Sequence, residues 1–202
     1  MLEAADLECE RGGRTLFRSL SFSLRPGESL RIAGTNGSGK TSLLRILCGL
    51  AAPSAGEVRW QGSQIGELKE DYSRQLVYLG HASAVKGDLT AAENLSITCT
   101  LAGLRTEKRE VHAALERFGL PLQNTPLRHF SQGQRRRAAL ARLCLSGALP
   151  LWLLDEPFSA LDASGIELLR KLVREQLERG GAVAFTTHQD PGIEATHVVD
   201  LG

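Results

Sequence analysis

The sequence contains no apolar run that approaches the roughly 18 to 20 residues needed for a membrane-spanning helix. Its first residues, MLEAADLECE, carry acidic side chains where a secretory signal peptide has a basic start followed by an apolar stretch. We therefore expect the chain to stay in the cytoplasm.

A surplus of charge of one sign is also missing. Lys and Arg together number 24, against 23 for Asp and Glu. Proteins that bind nucleic acid or an anionic bilayer through a broad surface usually carry a surplus of positive charge. We therefore expect no nucleic-acid partner.

Closely spaced cysteines are absent as well. The four cysteines lie far apart, without the paired spacing of a zinc site or the density of a disulfide scaffold; they are Cys9, Cys48, Cys99 and Cys144. We interpret them as reduced residues that mostly pack in the interior.

Internal repeats and Gly/Ser-rich linkers are not found, so residue patterns alone divide the chain. The first 80 residues show strand patterns interrupted by one helix, Lys40–Leu50; the strands are Leu2–Cys9, Ser21–Leu24, Ser29–Ala33, Glu57–Trp60 and Gln75–Leu79. Residues 90–145 have a helical pattern. The last third has an apolar strand, a helix and a second apolar strand, at Leu151–Leu154, Ala163–Glu178 and Ala182–Thr186. Strands that are apolar on both faces predict a parallel sheet covered by helices.

The strongest motif is the segment from Gly34 to Thr41, which fits the phosphate-loop pattern G-x-x-x-x-G-K-[ST] between a buried strand and an apolar helix. Its glycines let backbone N–H groups converge on a phosphate at the positive end of the helix. Lys40 is expected to reach the β- and γ-phosphates of ATP, and the Thr41 hydroxyl to bind Mg²⁺. An ordinary glycine-rich turn would not account for the whole pattern. The predicted nucleotide-binding residues here are Gly34, Thr35, Asn36, Gly37, Ser38, Gly39, Lys40, Thr41 and Ser42.

Two carboxylates follow the apolar strand that begins at Leu151. Successive residues at a strand end point in different directions, so the two acids can perform different tasks. Asp155 is suited to hold Mg²⁺, and Glu156 to polarise the water that attacks the γ-phosphate. A solvated strand end is the alternative, but a phosphate loop already requires a metal-binding acid on a neighbouring strand.

The segment of Ser131, Gln132, Gly133 and Gln134 opens a helix and resembles the LSGGQ signature of ABC ATPases. The resemblance implies that these residues bind the γ-phosphate of a partner's nucleotide, so that a homodimer encloses two ATP molecules. The arginines at 135–137 could instead form a solvated face or an RNA-binding patch, but consecutive residues spread around a helix and do not form a stripe.

Two further segments resemble ABC motifs in the expected order. Ser159 to Asp162 resembles the D-loop, and Thr187-His188 resembles the H-loop. The resemblance implies that His188 contacts the γ-phosphate, joining Lys40 and Glu156 in catalysis, and that Asp162 acts across the dimer interface. Asp162 is equally suited to cap the helix that follows it, and the two roles are compatible.

Three positions depart from the usual family pattern. Gln132 replaces the first glycine of the signature, and Gly80-His81 stands where transporters have the Q-loop glutamine. Arg11 stands where an aromatic residue usually stacks on adenine, although a planar guanidinium can also stack on a base. Imidazole is a poor ligand for Mg²⁺, so we expect no metal contact by His81.

With these departures the chain resembles, essentially end to end, the ATP-binding subunits that serve cytochrome c maturation, a branch of the ABC family associated with haem export. The resemblance implies a translocase ATPase on the cytoplasmic face of a bacterial inner membrane, peripheral and paired with a multi-span permease that contacts the region of His81 to Asn94. Hydrolysis would release haem-loaded chaperone. The alternatives are the ATPase of another transporter, a non-transport ABC ATPase acting on DNA or ribosomes, and a small-molecule kinase.

The predicted fold is therefore α/β, a P-loop NTPase with a RecA-like core, a mostly parallel sheet and an inserted α-helical sub-domain. The 202 residues suit a single domain. We assign residues 1–87 and 146–202 to the nucleotide-binding core, and residues 88–145 to the helical signature sub-domain.

Overall fold

Two sheets and a set of helices make up the described chain, which comprises residues 1–81, 85–120, 124–188 and 192–202 of a computed structural model. The strands are β1 (Leu2–Arg11), β2 (Arg14–Leu24), β3 (Ser29–Ala33), β4 (Ala55–Trp60), β5 (Ser63–Gln64), β6 (Leu76–Leu79), β7 (Leu151–Leu154), β8 (Ala182–Thr186) and β9 (His197–Asp200). The helices are α1 (Lys40–Leu47), α2 (Ile65–Leu68), α3 (Glu70–Ser73), α4 (Ala91–Leu101), α5 (Lys108–Arg117), α6 (Gln132–Leu140), α7 (Arg142–Leu145) and α8 (Ala163–Glu178), with a 3₁₀ turn at Leu127–His129.

The larger sheet is parallel and has the strand order β6-β7-β8-β3-β9. Every residue of β7 and β8 is buried, as expected for strands covered on both faces. The predicted α/β fold with a mostly parallel sheet is confirmed.

The parallel sheet separates two apolar clusters. Trp152 and Leu154 point into a cluster shared with α4, α5, α6 and α8, whereas Leu151 and Leu153 point into a cluster shared with α1 and the second sheet. This alternation follows from the two-residue period of a strand. The second sheet is antiparallel, with the order β2-β1-β4-β5.

Several predicted boundaries were wrong. β2 begins at Arg14 and not at Ser21, because pairing with β1 organises a stretch that has no apolar alternation of its own. The exposed edge strand β9 was missed, as were the short helices α2 and α3. Helix α1 ends at Leu47 and not at Leu50, since Gly49 adopts a positive φ of 75°.

Helices α4 to α7 lie within residues 88–145. The division of the chain into a core and a signature sub-domain stays a prediction. No helix in the described ranges combines the length and the apolar character needed to cross a membrane.

Candidate active site

The functional side chains meet because they follow neighbouring strands of the parallel sheet. The phosphate loop follows β3, the two carboxylates follow β7, His188 follows β8 and His81 follows β6. The carboxyl ends of parallel strands lie at one edge of a sheet, where ligands of open α/β folds bind. The segments that follow these strands, together with Leu16 of β2, form a cleft of about 530 Å³. It is lined by Leu16, Asn36, Gly37, Gly39, Lys40, Thr41, Ser42, His81, Asp155, Glu156, Ser159 and His188.

Glycine is required in the loop by its backbone shape. Gly34, Gly37 and Gly39 have φ values of 140°, 83° and 109°, in the region that side-chain-bearing residues rarely adopt. A Cβ at Gly39 would also lie 3.0 Å from Leu16 Cβ. The space is therefore closed to a side chain at Gly34 and Gly39, where a Cβ would approach Ser38 and Leu16, whereas Gly37 is open and needs glycine only for its positive φ.

Lys40 begins helix α1 and is almost fully buried. Its Nζ donates hydrogen bonds of 2.8 Å to the carbonyl oxygens of Gly34 and Thr35, which keep the ammonium over the loop. The first turn of α1 has no acidic residue, and Gly39 supplies no side-chain cap. The positive end of the helix is therefore available to an anion.

Thr41 and Asp155 are in direct contact. Thr41 Oγ1 donates a 2.9 Å hydrogen bond to Asp155 Oδ2, while Thr186 Oγ1 donates one of 2.9 Å to Asp155 Oδ1. Asp155 is 1% exposed, so these contacts fix its carboxylate. A hydroxyl and a carboxylate side by side offer the hard oxygen ligands that Mg²⁺ prefers, and the donor set fits that ion.

Glu156 is held in an unusual backbone conformation. Its φ is 48°, in the left-handed region, which costs a non-glycine residue about 1–3 kcal/mol. Its N–H donates to Thr186 Oγ1 at 2.8 Å. Its buried Oε1 lies 3.2 Å from His188 Nε2 without forming a hydrogen bond, and it has no hydrogen-bond donor among the described residues. The Glu156 carboxylate and the His188 imidazole thus face each other in the cleft.

The signature residues lie outside this cleft. Ser131 caps α6: its Oγ accepts from the Gln134 N–H at 3.2 Å, and Gln134 Oε1 accepts from the Ser131 N–H at 2.9 Å. Ser131, Gln132 and Gln134 are exposed. A Cβ at Gly133 would lie 3.0 Å from the Ala160 carbonyl oxygen, so glycine at this position also permits a close approach within the chain.

Asp162 caps helix α8. Its Oδ1 accepts a 3.0 Å hydrogen bond from the Gly165 N–H and also pairs with Arg137. The Gly165 hydrogen bond, reinforced by Arg137 and Ser164, lowers the pKa of the Asp162 carboxyl. A role of Asp162 across a dimer interface stays a prediction.

Arg11 is exposed at the end of β1 and is not among the residues that line the cleft. Leu16, on the paired strand β2, occupies the cleft instead. Sequence reasoning missed Leu16 because its position depends on how β2 folds over the loop. The stacking role of Arg11 stays a prediction.

Sequence reasoning missed Thr186, and the prediction for the region beginning at His81 is only partly covered by the described residues. A threonine within an otherwise apolar buried strand, such as Thr186, is a usable signal. His81 lines the cleft, and the predicted permease-contact region beginning there includes residues 82–84, which lie outside the described residues.

Comparisons with known proteins find one family and a group of close relatives. The family described as ABC transporter matches residues 17–159. The "Cytochrome c biogenesis ATP-binding export protein CcmA" of Aromatoleum aromaticum is 53% identical, with 100% of this chain and 95% of the relative covered. The protein of the same name from Nitrosospira multiformis is 50% identical, with 94% and 92% covered. A solved dimeric structure of an ATP-binding cassette in a post-hydrolysis state, bound to ADP and Pi, has a TM-score of 0.78 at 25% identity, with 94% of this chain and 88% of that one covered.

Proposed function

Because the chain belongs to the ABC transporter family, and is thus an ATP-binding and ATP-hydrolysing subunit of a transporter, we propose that it drives a membrane complex of c-type cytochrome biogenesis. The observation that carries this proposal is the 53% identity, along the whole chain, to a relative whose name states that role. The finer part of the proposal is that hydrolysis energises haem export, through release of a haem-loaded chaperone.

In the proposed reaction the cleft works by charge and position, without covalent chemistry. Lys40 and the loop amides bind the phosphates, Glu156 accepts a hydrogen bond from the attacking water, and His188 contacts the γ-phosphate. Thr41 and Asp155 would hold Mg²⁺, which neutralises phosphate charge when bound. Their mutual 2.9 Å contact supports this assignment.

We further propose that the chain works as a homodimer. Ser131 and Gln132 are exposed and absent from the cleft lining, so they are free to meet another chain. The similar cassette of known structure is a dimer. In the proposed dimer, Ser131 to Gln134 and Asp162 act on the nucleotide held by the partner.

The proposed membrane partner is a multi-span permease of the inner membrane, with this chain on the cytoplasmic face. Two apolar side chains one turn apart on α4 support a protein contact near the region of His81 to Asn94. Ile97 is 43% exposed and Leu101 is 84% exposed. Apolar residues grouped on one helix face are common at protein interfaces.

The test of the pathway is a chromosomal Glu156→Gln replacement in the native host, followed by haem staining of c-type cytochromes. We expect selective loss of the c-type signal while b-type cytochromes, the internal control, stay unchanged. An undiminished c-type signal would leave the ATPase assignment in place and remove the pathway.

A further inference from the structure

Arg136 is the buried member of the arginine run on α6. It is 4% exposed, whereas Arg135 and Arg137 are only partly buried. Burial lowers the pKa of Arg136, and the nearby Asp155 and Glu156 oppose that effect. A guanidinium is seldom placed in the interior unless it is well paired, so its hydrogen bonds show what it does.

The Arg136 guanidinium links the ends of two neighbouring strands. Nη1 donates to the Gly80 carbonyl oxygen at 3.0 Å and to that of His81 at 3.4 Å. Nη2 donates to the carbonyl oxygens of Asp155 and Glu156, at 2.9 and 2.7 Å. One side chain thus holds the backbone after β6 and the backbone after β7.

These peptide groups are the ones that carry side chains into the cleft. His81, Asp155 and Glu156 all line it. The left-handed Glu156 is held on both sides, since Thr186 accepts its N–H while Arg136 donates to its carbonyl. Removing the Arg136 contact would free one side of a residue whose backbone conformation is unfavourable on its own.

The start of the same helix carries the residues proposed to meet the partner's nucleotide. Ser131 caps α6, and Arg136 follows it by five residues, about 7.5 Å along a helix axis. A displacement of the helix start on nucleotide binding would therefore be carried directly to the guanidinium.

We infer that Arg136 is a positioning residue that couples the start of α6, where the partner's nucleotide binds, to the Glu156 carboxylate of the chain's own cleft. This inference rests on the proposed dimeric function. The planar fork of Arg reaches two pairs of carbonyls, which the single ammonium of Lys does not reproduce.

The test compares ATP hydrolysis by the full chain with Arg136→Lys, Arg136→Gln and the matched control Arg135→Lys. Arg135 lies on the same helix and also donates to backbone carbonyls, those of Leu127 and Arg128, at 2.9 and 2.7 Å. We expect kcat to fall roughly 10- to 100-fold in Arg136→Lys, the scale of a misplaced catalytic group, and further in Arg136→Gln. The KM for ATP and the fraction of ATP-driven dimer should stay near wild type, and Arg135→Lys should keep its kcat.

Hydrolysis rates are normalised to the concentration of ATP-binding sites, and thermal unfolding of each variant is measured alongside. Wild-type kcat in Arg136→Lys, an equal loss in Arg135→Lys, or a joint loss of ATP affinity and folding in Arg136→Lys would overturn the inference, because a merely structural residue behaves in those ways. If Arg136→Gln does not fold, Arg136→Lys carries the test. A wild-type chain that neither dimerises with ATP nor hydrolyses it would show instead that the proposed dimeric function is wrong.

Discussion

The residues of the cleft and those at the start of α6 differ in burial and in the hydrogen bonds that hold them. In the cleft, Lys40 and Asp155 are buried and held by hydrogen bonds within the chain. At the start of α6, Ser131 and Gln132 are exposed, and the hydrogen bonds between Ser131 and Gln134 cap the helix. The comparison teaches that the residues proposed to act on the chain's own nucleotide are fixed by its fold, whereas the residues proposed to act on a partner's nucleotide are exposed at the surface.

The largest effect should come from Glu156→Gln, which keeps the size of the side chain and removes its basicity. General-base catalysis contributes roughly 10²- to 10⁴-fold, so we expect hydrolysis to fall by that factor. ATP binding should survive, and sedimentation should show an ATP-bound dimer that accumulates because it cannot turn over. This change would separate the two regions, leaving nucleotide binding and pairing intact.

Glu167→Gln is the matched control for that variant. Glu167 is exposed on α8, where it pairs with Arg170 and Arg174. The Glu167→Gln variant should hydrolyse ATP at the wild-type rate, since exposed ion pairs contribute little to stability. Normal turnover in Glu156→Gln would contradict the assignment of the base.

A smaller effect is expected for Thr41→Val, which removes the hydroxyl beside Asp155 at nearly constant volume. The Mg²⁺ concentration needed for half-maximal hydrolysis should rise about tenfold because one oxygen ligand is lost, a change that corresponds to about 1.4 kcal/mol of binding free energy. Thr41→Ser keeps the hydroxyl and should keep the wild-type Mg²⁺ dependence. Identical Mg²⁺ curves for the Val and Ser variants would remove Thr41 from the metal site.

The smallest effect concerns the cap of α8. Asp162→Ala should lower the melting temperature by a few degrees near neutral pH, whereas Asp162→Asn keeps a capping oxygen and should lose less. The lowered pKa means that the carboxylate stabilises the fold above its ordinary value of 3.8 and loses this effect as the pH falls through the folded value. The gap between wild type and Asp162→Ala should therefore close in acid, and a gap independent of pH would contradict the charged cap.

The sequence predicted best what depends on neighbouring residues. β7, β8 and α8 were predicted with their observed bounds, because a continuous apolar run or a capped amphipathic stretch carries its own signal. The phosphate loop likewise contains its whole pattern. The strand β3, the loop and the helix α1 follow one another directly in the sequence, so the motif and its structural context are visible together.

What the sequence did not predict depends on contacts between distant segments. The edge strand β9 is mostly exposed and has little apolar signal of its own. Leu16 reaches the cleft only through the placement of β2, and the hydrogen bonds of Arg136 span 55 or more positions to Gly80 and His81. Local sequence patterns carry no information about contacts between residues so far apart in the chain.

The proposed dimer requires that one chain's Lys40 and the partner's Ser131 act on the same nucleotide. The most direct test of this claim is to mix two inactive variants. Lys40→Ala damages the cleft, while Ser131→Asp keeps a good helix cap and sets a negative charge against the partner's phosphate. Each alone should be nearly inactive. In an equal mixture, half of the dimers pair the two variants and each holds one intact site, so activity should return to about a quarter of the wild-type rate. A mixture no more active than either variant alone would contradict a site completed by two chains.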